Sequence, residues 1–200
     1  MNLKGKPVMK VESIRTLNGP NVYSYRPVLL MSLDLGELVE RESREFNGFN
    51  QRLLTLLPGI HNHHCSLERP GGFVTRLEEG TYFGHIVEHV ALELTELTGI
   101  GKSHGKTRHD TRSLYNVAIE FRAEKASTYL LQQAVKLVEA LVREKSFQLQ
   151  PVLEEAKRQN LRNPLFAIEY ERTEGEELVS NVSKSIEYFK KTAAELANGH

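Results

Sequence analysis

Apolar positions along the chain change their spacing from block to block, and each change marks an element. Residues 8–17 form a strand candidate that breaks at Asn18-Gly19-Pro20-Asn21, and a second apolar stretch follows at 28–35. Two such stretches around a turn of this composition predict a β-hairpin with a long loop. Residues 37–57 carry Phe46, Phe49, Leu53, Leu54 and Leu57 on one helical side, with Pro58-Gly59 as the stop. Phe73-Val74-Thr75-Arg76-Leu77 reads as a strand. Tyr82, Phe83, Ile86, Val87, Val90, Leu92, Leu94 and Leu97 recur at helical spacing and predict a helix over roughly residues 81–98. Thr81 is its expected N-cap, and Gly99-Ile100-Gly101 its end.

Beyond that helix, residues 102–112 read as an exposed basic loop, and Asn116-Val117-Ala118-Ile119-Glu120-Phe121 as a strand by its alternation and β-branched content. Residues 124–143 form a long helix carrying Ala126, Leu130, Ala134, Leu137, Val138 and Leu141. The tail reads as a short helix at 149–159, a strand at 164–170 and an amphipathic helix at 176–197. The expected fold class is α+β, a small antiparallel or mixed sheet with helices packed on it. Residues 1–146 are expected to form this domain and residues 147–200 a C-terminal helical extension.

Composition narrows the function classes. A chain of 200 residues with 40% hydrophobic content can bury a substantial core. Lys plus Arg equals Asp plus Glu at 26 each, so no global field recruits nucleic acid or an anionic membrane. Cys65 is the single cysteine, which excludes an intrachain disulfide framework. The first seven residues lack an apolar signal core, and no apolar run approaches the roughly 20 residues that cross a bilayer. A cytoplasmic protein is the expectation.

Chemistry concentrates in His85-Ile86-Val87-Glu88-His89. Four residues separate the two imidazoles, so on a helix they project from one face and can share one metal ion. Glu88 borders that face and can take a proton from water without acting as a ligand. A hydrolytic zinc commonly has three protein ligands, which calls for a partner from elsewhere. Glu124, at a strand-to-helix junction, is the first candidate; Glu120 is the runner-up and Glu139 a distant third. The loop with His61, His63, His64 and Cys65 can bind stray metal, yet it lacks a companion pair for a tetrahedral structural site and reads as a packed loop. Arg108 and Arg112 are the candidate contacts to substrate carboxylates.

The chain also carries longer motifs: Ser13-Ile14-Arg15-Thr16-Leu17-Asn18-Gly19-Pro20-Asn21, Leu33-Asp34-Leu35, His63-His64-Cys65-Ser66, Gly71-Gly72-Phe73 and Glu79-Gly80-Thr81-Tyr82-Phe83-Gly84-His85-Ile86-Val87-Glu88-His89. They continue through Lys106-Thr107-Arg108 and Val117-Ala118-Ile119-Glu120-Phe121 to Glu124 and Tyr129. Together they resemble the N-terminal domain of cyanophycin synthetases over roughly residues 9–145. In that family the domain is joined to ATP-grasp and Mur-ligase-like modules, which add Asp and Arg to a branched poly-aspartate chain. This chain has no G-x-x-x-x-G-K-[ST] loop and no room for either module, so synthetase activity is not expected.

The resemblance implies a substrate-binding module or, in members that keep H-x-x-E-H, a zinc hydrolase cutting the polymer into short primers; it also aligns Glu124 with a family glutamate. The expected function is thus zinc-dependent cleavage of cyanophycin or related Asp/Arg peptides, with zinc on His85, His89 and Glu124 and with Glu88 as base. Two alternatives are a non-catalytic module that binds cyanophycin or a synthetase, and a metallopeptidase acting on unrelated peptides. Residues 147–200 are open to a capping role, to forming a homo-oligomer seam or to replacing contacts that the missing modules provide.

Overall fold

The computed structural model describes residues 7–65, 69–101, 103–161 and 190; the strand expected at 164–170 lies outside them, as does the helix expected at 176–197 apart from Lys190. β1 (Lys10–Leu17) and β2 (Val28–Asp34) form the expected antiparallel hairpin. β2 also pairs antiparallel with β4 (Leu114–Glu120), and β4 pairs with β3 (Gly105–His109), giving a four-stranded sheet in the order β1-β2-β4-β3. Alternation along the central strands separates two faces. Leu29, Met31, Leu33, Val117 and Ile119 enter the main core, whereas Val28, Leu30 and Ala118 form a small cluster with Leu17 and Tyr23 on the opposite face.

Helices cover the first face. α1 is Phe49–Leu56, α2 Gly72–Glu79, α3 Phe83–Leu97, α4 Glu124–Val142 and α5 Leu149–Leu161. α3 lies against β3, β4 and α4, while α4 also reaches β2. Fully buried Phe83 anchors the start of α3 between Phe46 and Phe49, with edge-to-face ring separations of 5.2 and 5.5 Å. The architecture is α+β, as the sequence pattern predicts.

Four local expectations are corrected. Residues 37–57 are not one helix: 3₁₀ turns at Gly36–Leu38 and Ser43–Glu45 precede α1. Gly48, at φ 62°, takes the left-handed conformation and interrupts the helical path. The intervening segment pins the approach to α3, because the Ser43 N–H donates to the Thr81 carbonyl and Glu42 bridges to Tyr82. Residues 73–77 belong to α2 and not to a strand; Phe73 and Leu77, one helical turn apart, are both fully buried. The basic segment 102–112 contains β3. Finally, the N-cap of α3 is Tyr82, and the Thr81 hydroxyl contacts His85 Nδ1 at 3.0 Å.

The chain divides into two compact units, Met1–Lys157 and Arg158–His200. In the first, α5 adds Val152, Leu153 and Ala156 to the core. Among the described residues no helix is long and apolar enough to cross a membrane.

Candidate functional site

The site forms where α3 passes beneath β3. Gly84 permits this approach at one end: a Cβ there would come within 2.7 Å of the Tyr115 ring on β4. Gly105 permits it at the other, where an added Cβ would lie 2.6 Å from Glu88 Cγ. Between these close approaches, His85, Glu88 and His89 face a cleft of about 1180 Å³.

The two imidazoles meet as the helical spacing predicts, with ring centroids 4.8 Å apart. The third donor comes from the His-rich loop. Cys65 Sγ lies 3.3 Å from His85 Nε2, and Cys65, His85 and His89 each bring a ligand atom within 4.8 Å of the others. Zinc bonds of about 2.3 Å to sulfur and 2.0–2.1 Å to nitrogen put two tetrahedral donors about 3.5 Å apart, close to the Sγ–Nε2 distance. A thiol and two imidazoles are also a zinc-type donor set. The residues present therefore fit the ion.

A second layer orients these donors. Thr81 contacts His85 Nδ1, which directs Nε2 toward Cys65. His63 Nε2 stands 2.9 Å from Glu93 Oε2, and His63 Nδ1 stands 3.0 Å from His89 Nδ1. In the neutral form of His63, with the Glu93 carboxylate accepting from Nε2–H, the bare Nδ1 accepts from His89 Nδ1–H. The lone pair of His89 is left on Nε2, the tautomer a metal needs. Phe73 stacks on the His89 ring at 3.7 Å and holds its plane. Glu96 brings a second carboxylate near His63 and Glu93.

Burial sets the charge state of these groups. It pushes His85 down to about 4, helped by the positive charge of Arg76. It carries His89 well below the usual imidazole range, with His85 and His63 adding to the effect. Both rings are thus kept neutral, the form that binds a cation. Burial also pushes the Glu88 carboxyl up to about 7, against hydrogen bonds from the Thr107 hydroxyl and N–H and the proximity of His63.

The structure does not bring Glu124 to the imidazoles. Its exposed carboxylate accepts from Thr16 Oγ1 at 2.6 Å on β1, the edge opposite β3. Three strand spacings of about 4.8 Å, or about 14 Å, separate those edges. Glu120 lines the cleft, but its carboxylate accepts from Ser24 Oγ and lies 3.9 Å from Arg26. It projects from the sheet face of Ala118, away from the helices, as strand alternation predicts. Glu139 accepts from the Val8 N–H and from Arg143, each at 3.0 Å. Arg108 sits over the Tyr23 ring, and Arg112 lies in the β3–β4 turn, where its carbonyl accepts from His109 Nε2. Neither arginine is among the described residues lining the cleft; the basic residues there are Arg26, Arg76 and Lys106, with His64, His104 and His109.

Residues 30–143 match the family described as cyanophycin synthase-like N-terminal domain. The chain is similar to cyanophycin synthetase of Synechocystis sp. (strain ATCC 27184 / PCC 6803 / Kazusa), with 46% identity over 137 residues, which is 67% of this chain and 16% of that protein. The cyanophycin synthetases of Crocosphaera subtropica (44% identical) and Geminocystis herdmanii (42% identical) match over the same length and the same shares of each chain. The chain thus spans about one sixth of the length of these relatives.

Proposed function

Since the chain belongs to the family of cyanophycin synthase-like N-terminal domains, we propose that its cleft binds cyanophycin, the Asp–Arg polymer its relatives are named for, and that zinc-assisted cleavage of an amide bond follows. The observation that carries this reading is the convergence of Cys65, His85 and His89 beside Glu88 on the floor of one large cleft. Cys65, His85 and His89 would hold the ion. Zinc, when bound, supplies a Lewis acid that polarises an amide carbonyl and acidifies a water molecule.

The chain's own residues do the rest. Glu88 takes a proton from the attacking water as its oxygen bonds to the amide carbon, then delivers that proton to the departing nitrogen as the C–N bond breaks. Thr107, whose hydroxyl donates to the Gly84 carbonyl, stands beside the carboxylate and favours its charged form. Thr81 holds the His85 ring, and the Glu93–His63 pair holds the His89 ring. Arg26, Arg76 and Lys106 pair with polymer carboxylates along the wall, and exposed Glu96 faces guanidinium groups.

A second reading, a module that holds the polymer or docks to a synthetase without cutting, is favoured by the relatives named above, which are cyanophycin synthetases. Incubating the zinc-loaded protein with insoluble cyanophycin separates the two. Hydrolysis predicts soluble peptides by mass spectrometry, none after chelation and recovery when zinc is restored. Protein that sediments with the polymer but releases nothing in any sample would leave the binding module.

A further inference from the structure

The free edge of the sheet passes over Glu88, and the ladder behind it determines which backbone groups point into the cleft. Glu120 N–H donates to the His104 carbonyl at 2.8 Å, and Asp110 N–H donates to the Leu114 carbonyl at 2.9 Å. In an antiparallel pair such hydrogen-bonded positions alternate, so residues 104, 106, 108 and 110 turn their N–H and C=O groups toward β4. Gly105, Thr107 and His109 therefore turn theirs away from the sheet, along an edge with no further strand among the described residues. The Glu88 carboxylate takes the Thr107 N–H. Among the described residues the outward groups of Gly105 and His109 and the Thr107 carbonyl have no backbone partner, and they form a row beside the Cys65, His85 and His89 cluster.

We propose that β3 is a docking rail on which an extended peptide main chain with acidic side groups is laid as a fifth strand, crossing the cleft above Glu88. An outward row repeating every second residue, at about 6.8 Å, matches the donors and acceptors of an extended main chain. Arg26, Arg76 and Lys106 line the same cleft and complement anionic side groups. The inference rests on the reading that the polymer enters this cleft, but docking needs neither metal nor turnover. The rail sets the direction and register of the chain, and hence which amide lies over the cluster.

His109 offers a test that separates backbone from side chain. His109→Pro removes an outward donor and spares the ladder bonds made by residues 108 and 110, whereas His109→Ala loses the same imidazole and its bond to the Arg112 carbonyl but keeps the main-chain donor. The probe is a short fluorescent oligo-aspartate peptide, titrated by anisotropy into the full chain with chelator present. His109→Pro binds it about tenfold more weakly than His109→Ala, the comparison that isolates the main-chain donor, and the fully N-methylated peptide does not bind the native protein. Residue-resolved amide exchange on the native protein gives a check that no variant's folding can spoil: the peptide slows Gly105 and His109 and leaves Lys106 and Arg108 unchanged. Equal binding of the N-methylated peptide, no binding of the parent peptide, or unchanged exchange at Gly105 and His109 overturns the rail. Self-association of the free protein that His109→Pro abolishes also overturns it, by assigning the edge to a second copy. Slowed exchange in a protein that never cleaves cyanophycin sinks the hydrolase alone.

Discussion

Glu88→Gln is expected to slow cyanophycin cleavage by at least about a hundredfold, the lower end of what a positioned general base contributes, while leaving zinc content at the native level. The amide keeps the size of the carboxylate, and its oxygen still accepts from the Thr107 N–H, so α3 and β3 stay packed as they are. What disappears is the ability to take a proton from water and return it to the leaving nitrogen. Glu88 lies one residue from His89 but is not among the three donors that converge, so zinc retention is part of the expectation. Initial rates of peptide release and elemental zinc analysis on the same samples check both halves. A variant that cuts at the native rate, or that loses its zinc with its activity, removes Glu88 from the role of base.

Cys65→Ala is expected to strip the protein of zinc on dialysis and to abolish measurable cleavage. Loss of an outer partner of a metal ligand costs roughly 10–100-fold in affinity or activity, and loss of one of three donors costs more. Two imidazoles at one helical turn then remain, without the sulfur that closes the triangle. Glu124→Ala provides the contrast: its carboxylate is occupied with Thr16 on the far edge strand, so zinc content and rate should stay within about twofold of native. Zinc retained by Cys65→Ala and lost by Glu124→Ala would reverse the assignment.

That contrast also shows what could be read from the chain alone. His85, Glu88 and His89 were legible because helical spacing is local: an i, i+4 pair within an apolar helix reaches one point whatever the rest of the fold does. The hairpin, β4, α3 and α4 followed from the same local periodicities. Cys65 did not, because it precedes His85 by 20 residues in a loop without periodicity. The one available signal was a cysteine among histidines shortly before the motif helix, and only tertiary structure turns that into a ligand. Linear position favours Glu124, but strand order decides distance, and an order of β1-β2-β4-β3 puts Thr16 on the edge opposite β3, the strand that covers Glu88.

The misread elements have similar causes. Gly105–His109 looked like a charged loop because an edge strand with one exposed face can be as polar as a loop, and only pairing with β4 reveals it. Phe73-Val74-Thr75-Arg76-Leu77 reads as a strand in isolation, while burial of Phe73 and Leu77 on one side goes with the helix that the fold gives it. His63 and Glu93 are invisible as a unit in the sequence because 30 residues separate them, yet their 2.9 Å contact orients the ring that meets His89 Nδ1.

Zinc K-edge X-ray absorption on the purified, zinc-loaded protein tests the cysteine–histidine centre most directly. One sulfur at about 2.3 Å and two imidazole nitrogens at about 2.0–2.1 Å are predicted, with the sulfur shell gone in Cys65→Ala. A shell of nitrogen and oxygen alone that Cys65→Ala leaves unchanged, or a protein that takes up no zinc, would contradict it.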